Sequence, residues 1–265
     1  MKQPFLPLAF CLLLSACSVK EDRRPCPCLL SIIASDAFTP EGATPDTEWN
    51  LTLTGYAEEG KIVEERFDAE SVRDTLEYSV KKGEVLVTAL LARAETRAFA
   101  DGTYRIPAGS QAEAFYAWRK AVDASGETVS CTLHPHKQFS TLCIYDRSDR
   151  DTPFGGAGIA LRGSVCGMDL RSLSPVVGPF HCAAMPVETE AGRGFRCRIP
   201  RQREDDLMLE IGDSFTVPLG KILFQNGYDP EAEDLPDFTV TVESARLTAG
   251  IEVLPWEVIT LEVII

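Results

Sequence analysis

The 265-residue chain holds only three histidines, His134, His136 and His181, which leaves little for nucleophile-and-base or multi-histidine metal chemistry. Compact catalytic signatures are missing too: no Gly-x-Ser-x-Gly elbow, no His-Glu-x-x-His, and no glycine-rich loop closed by Lys-Ser/Thr. Basic charge is scarce, with 26 Lys and Arg against 40 Asp and Glu and a formal net charge of −14. That acidity argues against nucleic acid and against an anionic membrane surface as partners. No apolar segment reaches the roughly 20 residues that a membrane-spanning helix needs. Low-complexity tracts and short repeats are also lacking. The chain is therefore expected to be no enzyme and to hold no cofactor or metal. Its 25% charged and 45% hydrophobic residues are those of a folded globular protein.

The first residues carry the clearest signal. Met1-Lys2-Gln3 precedes an apolar run from Pro4 to Leu14, then Ser15-Ala16-Cys17. A short basic start, a short apolar core and small residues before a break make a secretory signal peptide. Leu14-Ser15-Ala16-Cys17 resembles the bacterial lipobox, whose Cys takes a diacylglycerol and becomes the new N-terminus. Lipidation is therefore expected at Cys17, after removal of 1–16 as signal peptide. Loss of Lys2 takes the net charge from −14 to −15. Acyl chains of the palmitate kind would hold the protein on a membrane, each buried CH₂ contributing roughly 0.8 kcal/mol. Residues 17–28 are polar and punctuated by Pro25 and Pro27, as a tether is. Lys20-Glu21-Asp22 resembles the signal that sends some lipoproteins to the outer face of the outer membrane.

Beyond the tether, alternation of period two dominates. Trp49–Tyr56 shows it best, and Leu29–Ala34, Lys61–Phe67, Leu76–Val80, Glu84–Ala92, Thr128–Leu133 and Phe139–Tyr145 read as further strands. Helical periodicity is best at Ser110–Val122. A charged, then Gly/Pro-rich break at 146–157 reads as a linker or long loop. Strands resume at Gly158–Gly163, Gly194–Ile199, Leu207–Ile211, Phe238–Val242, Gly250–Val253 and Val258–Ile265. The pattern predicts an all-β chain with one β-sandwich domain over 29–145 and a second over 158–265. Val258–Ile265 is too apolar to be left as a free arm, and is expected to pair within the second sandwich beside Phe238–Val242.

Seven cysteines remain once Cys11 leaves with the signal and Cys17 carries lipid, an odd number that leaves at least one thiol unpaired. Cys131, His134, His136 and Cys143 form the one Cys/His cluster. Zinc would suit such ligands, but strand alternation puts Cys131 and His134 on opposite faces. A hairpin placing Cys131 opposite Cys143, as a disulfide or two buried thiols, fits better. Cys26-Pro-Cys28 has one intervening residue where redox motifs have two. The basic run Arg193–Arg203 reads as a solvated strand and turn. Asp229–Asp237 offers oxygen ligands without EF-hand spacing and reads as an acidic loop. Gly155-Gly156-Ala157-Gly158 reads as a flexible loop.

Four stretches together resemble the FimB-like family of minor fimbrial subunits. They are Cys17–Leu29 with its charged tether and Cys-Pro step, Ile199–Leu209, Pro218–Ile222 with Gly227–Val240, and the terminal Trp256-Glu257-Val258. The resemblance implies two transthyretin-like β-sandwich domains in tandem and no enzymatic activity. It implies an outer-membrane lipoprotein, surface-exposed through the lipid on Cys17, that acts as a fimbrial anchor or accessory subunit in fimbria assembly and cell adhesion. The implied partners are fimbrial shaft or accessory subunits, joined by strand addition. A surface glycan- or ligand-binding lipoprotein on the same sandwiches is the alternative. Trp49, Trp118 or Trp256 exposed on one flat face would favour it, and an open edge strand or groove would favour fibre assembly.

Overall fold

The computed structural model describes residues 26–35, 37, 49–68, 71, 72, 74–93, 99, 100, 102–146, 153–189, 192–213, 215–243, 248–253 and 258–263. Cys17, the signal 1–16, the tether up to Pro25 and Trp256 lie outside these described residues. The chain opens with β1 (Cys28–Ile33), β2 (Trp49–Ala57), β3 (Gly60–Asp68), β4 (Thr75–Val80) and β5 (Glu84–Arg93). Two short strands, β6 (Phe99–Ala100) and β7 (Thr103–Arg105), precede β8 (Phe115–Asp123), β9 (Thr128–Thr132), β10 (His136–Lys137) and β11 (Phe139–Asp146). A single 3-10 turn at Pro153–Gly156 leads to β12 (Ile159–Asp169), β13 (Ser174–Ala183), β14 (Met185–Thr189) and β15 (Gly192–Pro200). The rest comprises β16 (Met208–Ile211), β17 (Phe215–Val217), helix α1 (Leu219–Gln225), β18 (Asp237–Glu243), β19 (Thr248–Val253) and β20 (Val258–Val263). The protein is all-β, and α1 is the one α-helix among the described residues.

Alternation decides which side of each strand is dry. In β1, Cys28, Leu30 and Ile32 are buried while Leu29 is 38% exposed. Leu51 and Leu53 of β2 and Val85 and Val87 of β5 point into the same core. That core joins the sheet β4-β1-β9 to the sheet β10-β8-β5-β2-β3. Each such buried aliphatic side chain contributes about 1.5–3 kcal/mol.

A second core joins two further sheets, β14-β15-β11-β18-β19-β20 and β17-β16-β12-β7-β6. Leu142, Ile144, Ile199, Phe238 and Val240 come from the first, and Ile159, Leu161, Phe180 and Leu209 from the second, where β13 flanks β12. Leu219, Ile222 and Leu223 of α1 belong to the same core. Tyr104, Phe115, Ala117, Met168 and Ala92 form a smaller cluster that ties the two pairs of sheets together. Gly167 makes that tie possible: a Cβ there would lie 2.1 Å from the Tyr104 carbonyl oxygen of β7.

Two sequence expectations are corrected. The hairpin of Thr128–Leu133 and Phe139–Tyr145 does not form, because β9 pairs in parallel with β1 while β11 lies between β15 and β18. Cys131 and Cys143 therefore belong to different sheets, and both are free thiols. Ser110–Val122 is no helix. Its first half is extended, with Ala112 N–H donating to the Arg198 carbonyl, and its second half is β8. Both faces of β8 start out buried, Phe115 in one cluster and Tyr116 in another, so the residues give an apolar run with no clear period of two. At the end of the 146–157 break, Phe154 of the 3-10 turn is buried in the second core against Phe195. The terminal strand does pair in its own sheet: Phe238 opposes Ile259 in parallel, and β19 runs antiparallel to β20.

Candidate functional site

Two of the stretches that carry the family resemblance meet at one side chain. β15 ends at Pro200, and Arg201 turns inward to only 7% exposure. Its Nε and Nη2 donate to Gln138 Oε1 at 3.2 and 2.9 Å. Nη1 donates to the Pro230 and Ala232 carbonyls at 2.6 and 2.7 Å, and Nη2 to the Glu233 carbonyl at 3.3 Å. All five N–H groups of the guanidinium are thereby used. Burial lowers the Arg201 pKa from its ordinary value, yet an arginine stays charged near neutral pH. Beside it, Gln202 N–H donates to the Tyr228 hydroxyl at 2.7 Å, and Tyr228 packs on Phe238 and Phe224. The Pro218–Ile222 part of the second of these stretches joins through Gly220, whose N–H donates to the Leu207 carbonyl and whose missing Cβ would lie 2.5 Å from the Asp205 carbonyl oxygen.

The acidic loop is clasped from its other side. Asp234 accepts from the Lys137 N–H at 2.5 Å and faces His136 Nδ1 at 2.8 Å. Asp237 accepts from Lys137 Nζ at 2.6 Å and from the Thr141 N–H at 2.5 Å. The hydrogen bond to Asp234 raises the His136 pKa, against the opposing effect of burial. Burial pushes the Asp234 carboxyl up, but its bonds to His136 and Lys137 leave it below the ordinary value. Within the loop, the Asp234 and Asp237 carboxylates and the Pro230, Ala232 and Glu233 carbonyls are thus taken up by Arg201, His136, Lys137 and Thr141.

A cleft of about 430 Å³ opens over this clasp, between the two pairs of sheets. Trp118 and Arg119 of β8, Ser174 at the start of β13, Arg203, Glu231 and Glu233 line it. Arg119 Nη1 donates to the Arg171 carbonyl at 2.7 Å, and that carbonyl lies in a turn built on Asp169. The cleft presents charges of both signs and hydrogen-bonding groups to a polar partner. Two long edges stand open among the described residues. β3 pairs only with β2 and exposes Ile62 at 43%, and β13 exposes Val177 at 72%. Lys61, Glu64, Glu65 and Arg66 put charge along β3, as edge strands commonly do.

The sequence candidates are scattered by the fold. Cys26 is exposed and Cys28 is buried at the head of β1. Cys131 lies in the first core and Cys143 on β11. The basic run is not uniformly solvated: Arg193 pairs with Glu188 at 2.6 Å on the surface, whereas Arg201 is interior. Trp49 packs on Tyr116 at 5.5 Å and Trp118 is 9% exposed, so neither presents a flat aromatic face. Sequence reasoning missed the Arg201 clasp. Its signal was Gln138, a polar residue ahead of an apolar strand, which burial obliges to find partners.

Neither a protein-family model nor a curated protein sequence matches the chain. Solved structures match it in fold. A candidate polysaccharide-binding protein from Bacteroides thetaiotaomicron VPI-5482 superposes with a TM-score of 0.60 at 11% identity, over 84% of this chain and 95% of its own. A candidate adhesin from Bacteroides ovatus gives 0.59 at 11% identity, over 91% and 96%. The fimbrial anchor protein Mfa2 from Porphyromonas gingivalis gives 0.59 at 10% identity, over 91% and 100%. At these identities the likeness is one of fold.

Proposed function

We propose that this chain is an outer-membrane lipoprotein, held by lipid on Cys17 and exposed at the cell surface, that serves as a fimbrial anchor or accessory subunit. The observation that carries the reading is a fold shared along 91% of this chain with the whole length of a fimbrial anchor protein. The lipobox-like Leu14–Cys17 at one end of the chain supports the anchoring role. We read the architecture as two transthyretin-like β-sandwich domains in tandem, with β11 in the second because it pairs with β15 and β18, and with β6 and β7 crossing over to the second domain's sheet on β12.

The partner is a fimbrial shaft or accessory subunit that adds a strand to an open edge. The pairing of β20 with β18 and β19 argues that β20 is not the donated strand. It suits a fixed terminus on the membrane. The glycan-binding alternative is less well supported, because Trp49 is half-buried against Tyr116 and Trp118 offers only 9% of its surface to the cleft. A photo-crosslinking residue placed at Ile62 on β3, or at Val177 on β13, tests the reading in fimbriated cells. An adduct to a fibre subunit from one edge is expected. No adduct from either edge, with fimbriae unchanged when the chain is deleted, overturns it.

A further inference from the structure

Cys182 and Cys197 lie on facing sheets, Cys182 near the end of β13 and Cys197 within β15. Both side chains are fully buried, in the core that holds Leu161, Phe180 and Ile199. Their sulfurs are 2.8 Å apart, closer than unbonded sulfurs rest, and a modest shift reaches the roughly 2.05 Å of a disulfide. The Cys197 thiol also lies 3.6 Å from the Arg198 carbonyl oxygen, a longer contact. The stretch between them holds the corner at Ala184 and the β14–β15 turn, so a bond here would fasten one sheet of the second sandwich to the other.

We propose that Cys182 and Cys197 are joined by a disulfide in the mature protein. The inference rests on the exported reading only for its oxidant. A dithiol–disulfide oxidant of the exterior compartment supplies it: one cysteine thiolate attacks a sulfur of the oxidant's disulfide and forms a mixed disulfide, expelling one oxidant thiolate. The second cysteine thiolate then displaces the other oxidant sulfur. Two cysteine thiols lose two electrons and two protons, and the oxidant disulfide becomes a dithiol. The step belongs to the folding chain, because the folded core buries both sulfurs. The other five cysteines of the described residues take no part, which also accounts for the odd count.

The test uses the full chain purified from cells, alkylated in denaturant without reductant, digested and mapped by mass. The expected product is one peptide pair linked through Cys182 and Cys197, lighter by two hydrogen atoms than the reduced pair. The intact protein is expected to melt roughly 5–10 °C lower once reduced in denaturant and refolded with its thiols blocked or kept reduced. Protease shaving of whole cells reads the compartment in the same samples. Both cysteines alkylated in surface-exposed protein overturns the staple alone. Both alkylated in protein that shaving does not reach overturns the staple together with the surface-exposed reading.

Discussion

Replacing Arg201 with Met removes the five guanidinium donors from the clasp while keeping an unbranched side chain of similar reach. Gln138 Oε1 and the carbonyls of Pro230 and Ala232 lose Arg201 as their donor, and the Glu233 carbonyl keeps only Gln138 Nε2 at 3.4 Å. At about 0.5–1.5 kcal/mol net for each of the five hydrogen bonds, the loss is about 2.5–7.5 kcal/mol. Relief from burying a charged guanidinium offsets part of this, since desolvating an ion costs several kcal/mol. The expected net destabilisation is about 2–4 kcal/mol, read as a Tm lower by roughly 5–15 °C in far-ultraviolet circular dichroism. Arg201→Lys keeps the charge but carries three donors on one compact head, so it cannot reach Gln138 and all three carbonyls together. It is expected to fall between Met and wild type. Limited proteolysis between Asp229 and Leu235 is expected to quicken in both variants. A Met variant that melts within about 1 °C of wild type, with the loop still protected, would refute the clasp.

The clasp is also expected to depend on pH. His136 is raised from 6.5, so its contribution is complete below about 6.5 and fades as pH rises through the folded value. Asp234 is lowered from 3.8, so its contribution is complete above about 4 and fades as pH falls through its folded value. The stability difference between wild type and His136→Ala should thus be largest between about pH 4 and 6.5, and a difference that grows towards pH 8 would contradict the pairing. Gly167→Ala sets a Cβ against the Tyr104 carbonyl oxygen, which cannot move without parting β7 from β12. About 3 kcal/mol of destabilisation is expected in urea titration, and a neutral result would mean that β7 is not fixed there. Deleting Val258–Ile265 strips the ladder from β18 and β19 at about 0.5–1.5 kcal/mol for each hydrogen bond lost. Normal folding with loss of fibre attachment alone would instead mark it as a donor strand.

The strands were legible wherever one face is wet. Leu29–Ala34, Trp49–Tyr56 and Glu84–Ala92 fall on β1, β2 and β5 because each shows inward and outward residues in turn. Legibility failed where both faces are covered, as at β8, and where a strand is broken by proline and glycine, as in Ser174-Pro-Val-Val-Gly-Pro of β13. Pairing was not legible at all for β9 and β11, since their short separation suggests a hairpin and only the assembled core sends them to different sheets. The site was legible as three separate motifs and not as a contact. A basic run and an acidic loop each look solvated alone, and nothing local says that Arg201 is the one arginine turned inward.

Cell fractionation of Cys17→Ala against wild type, with a fatty-acid label and a count of fibres on cells and in the medium, tests the anchoring claim most directly. The account predicts that wild type carries the label and stays in the outer membrane with its fibres. The variant should lose the label, leave the membrane and release fibres into the medium. A variant that still labels, stays membrane-bound and keeps its fibres on the cell would contradict the account.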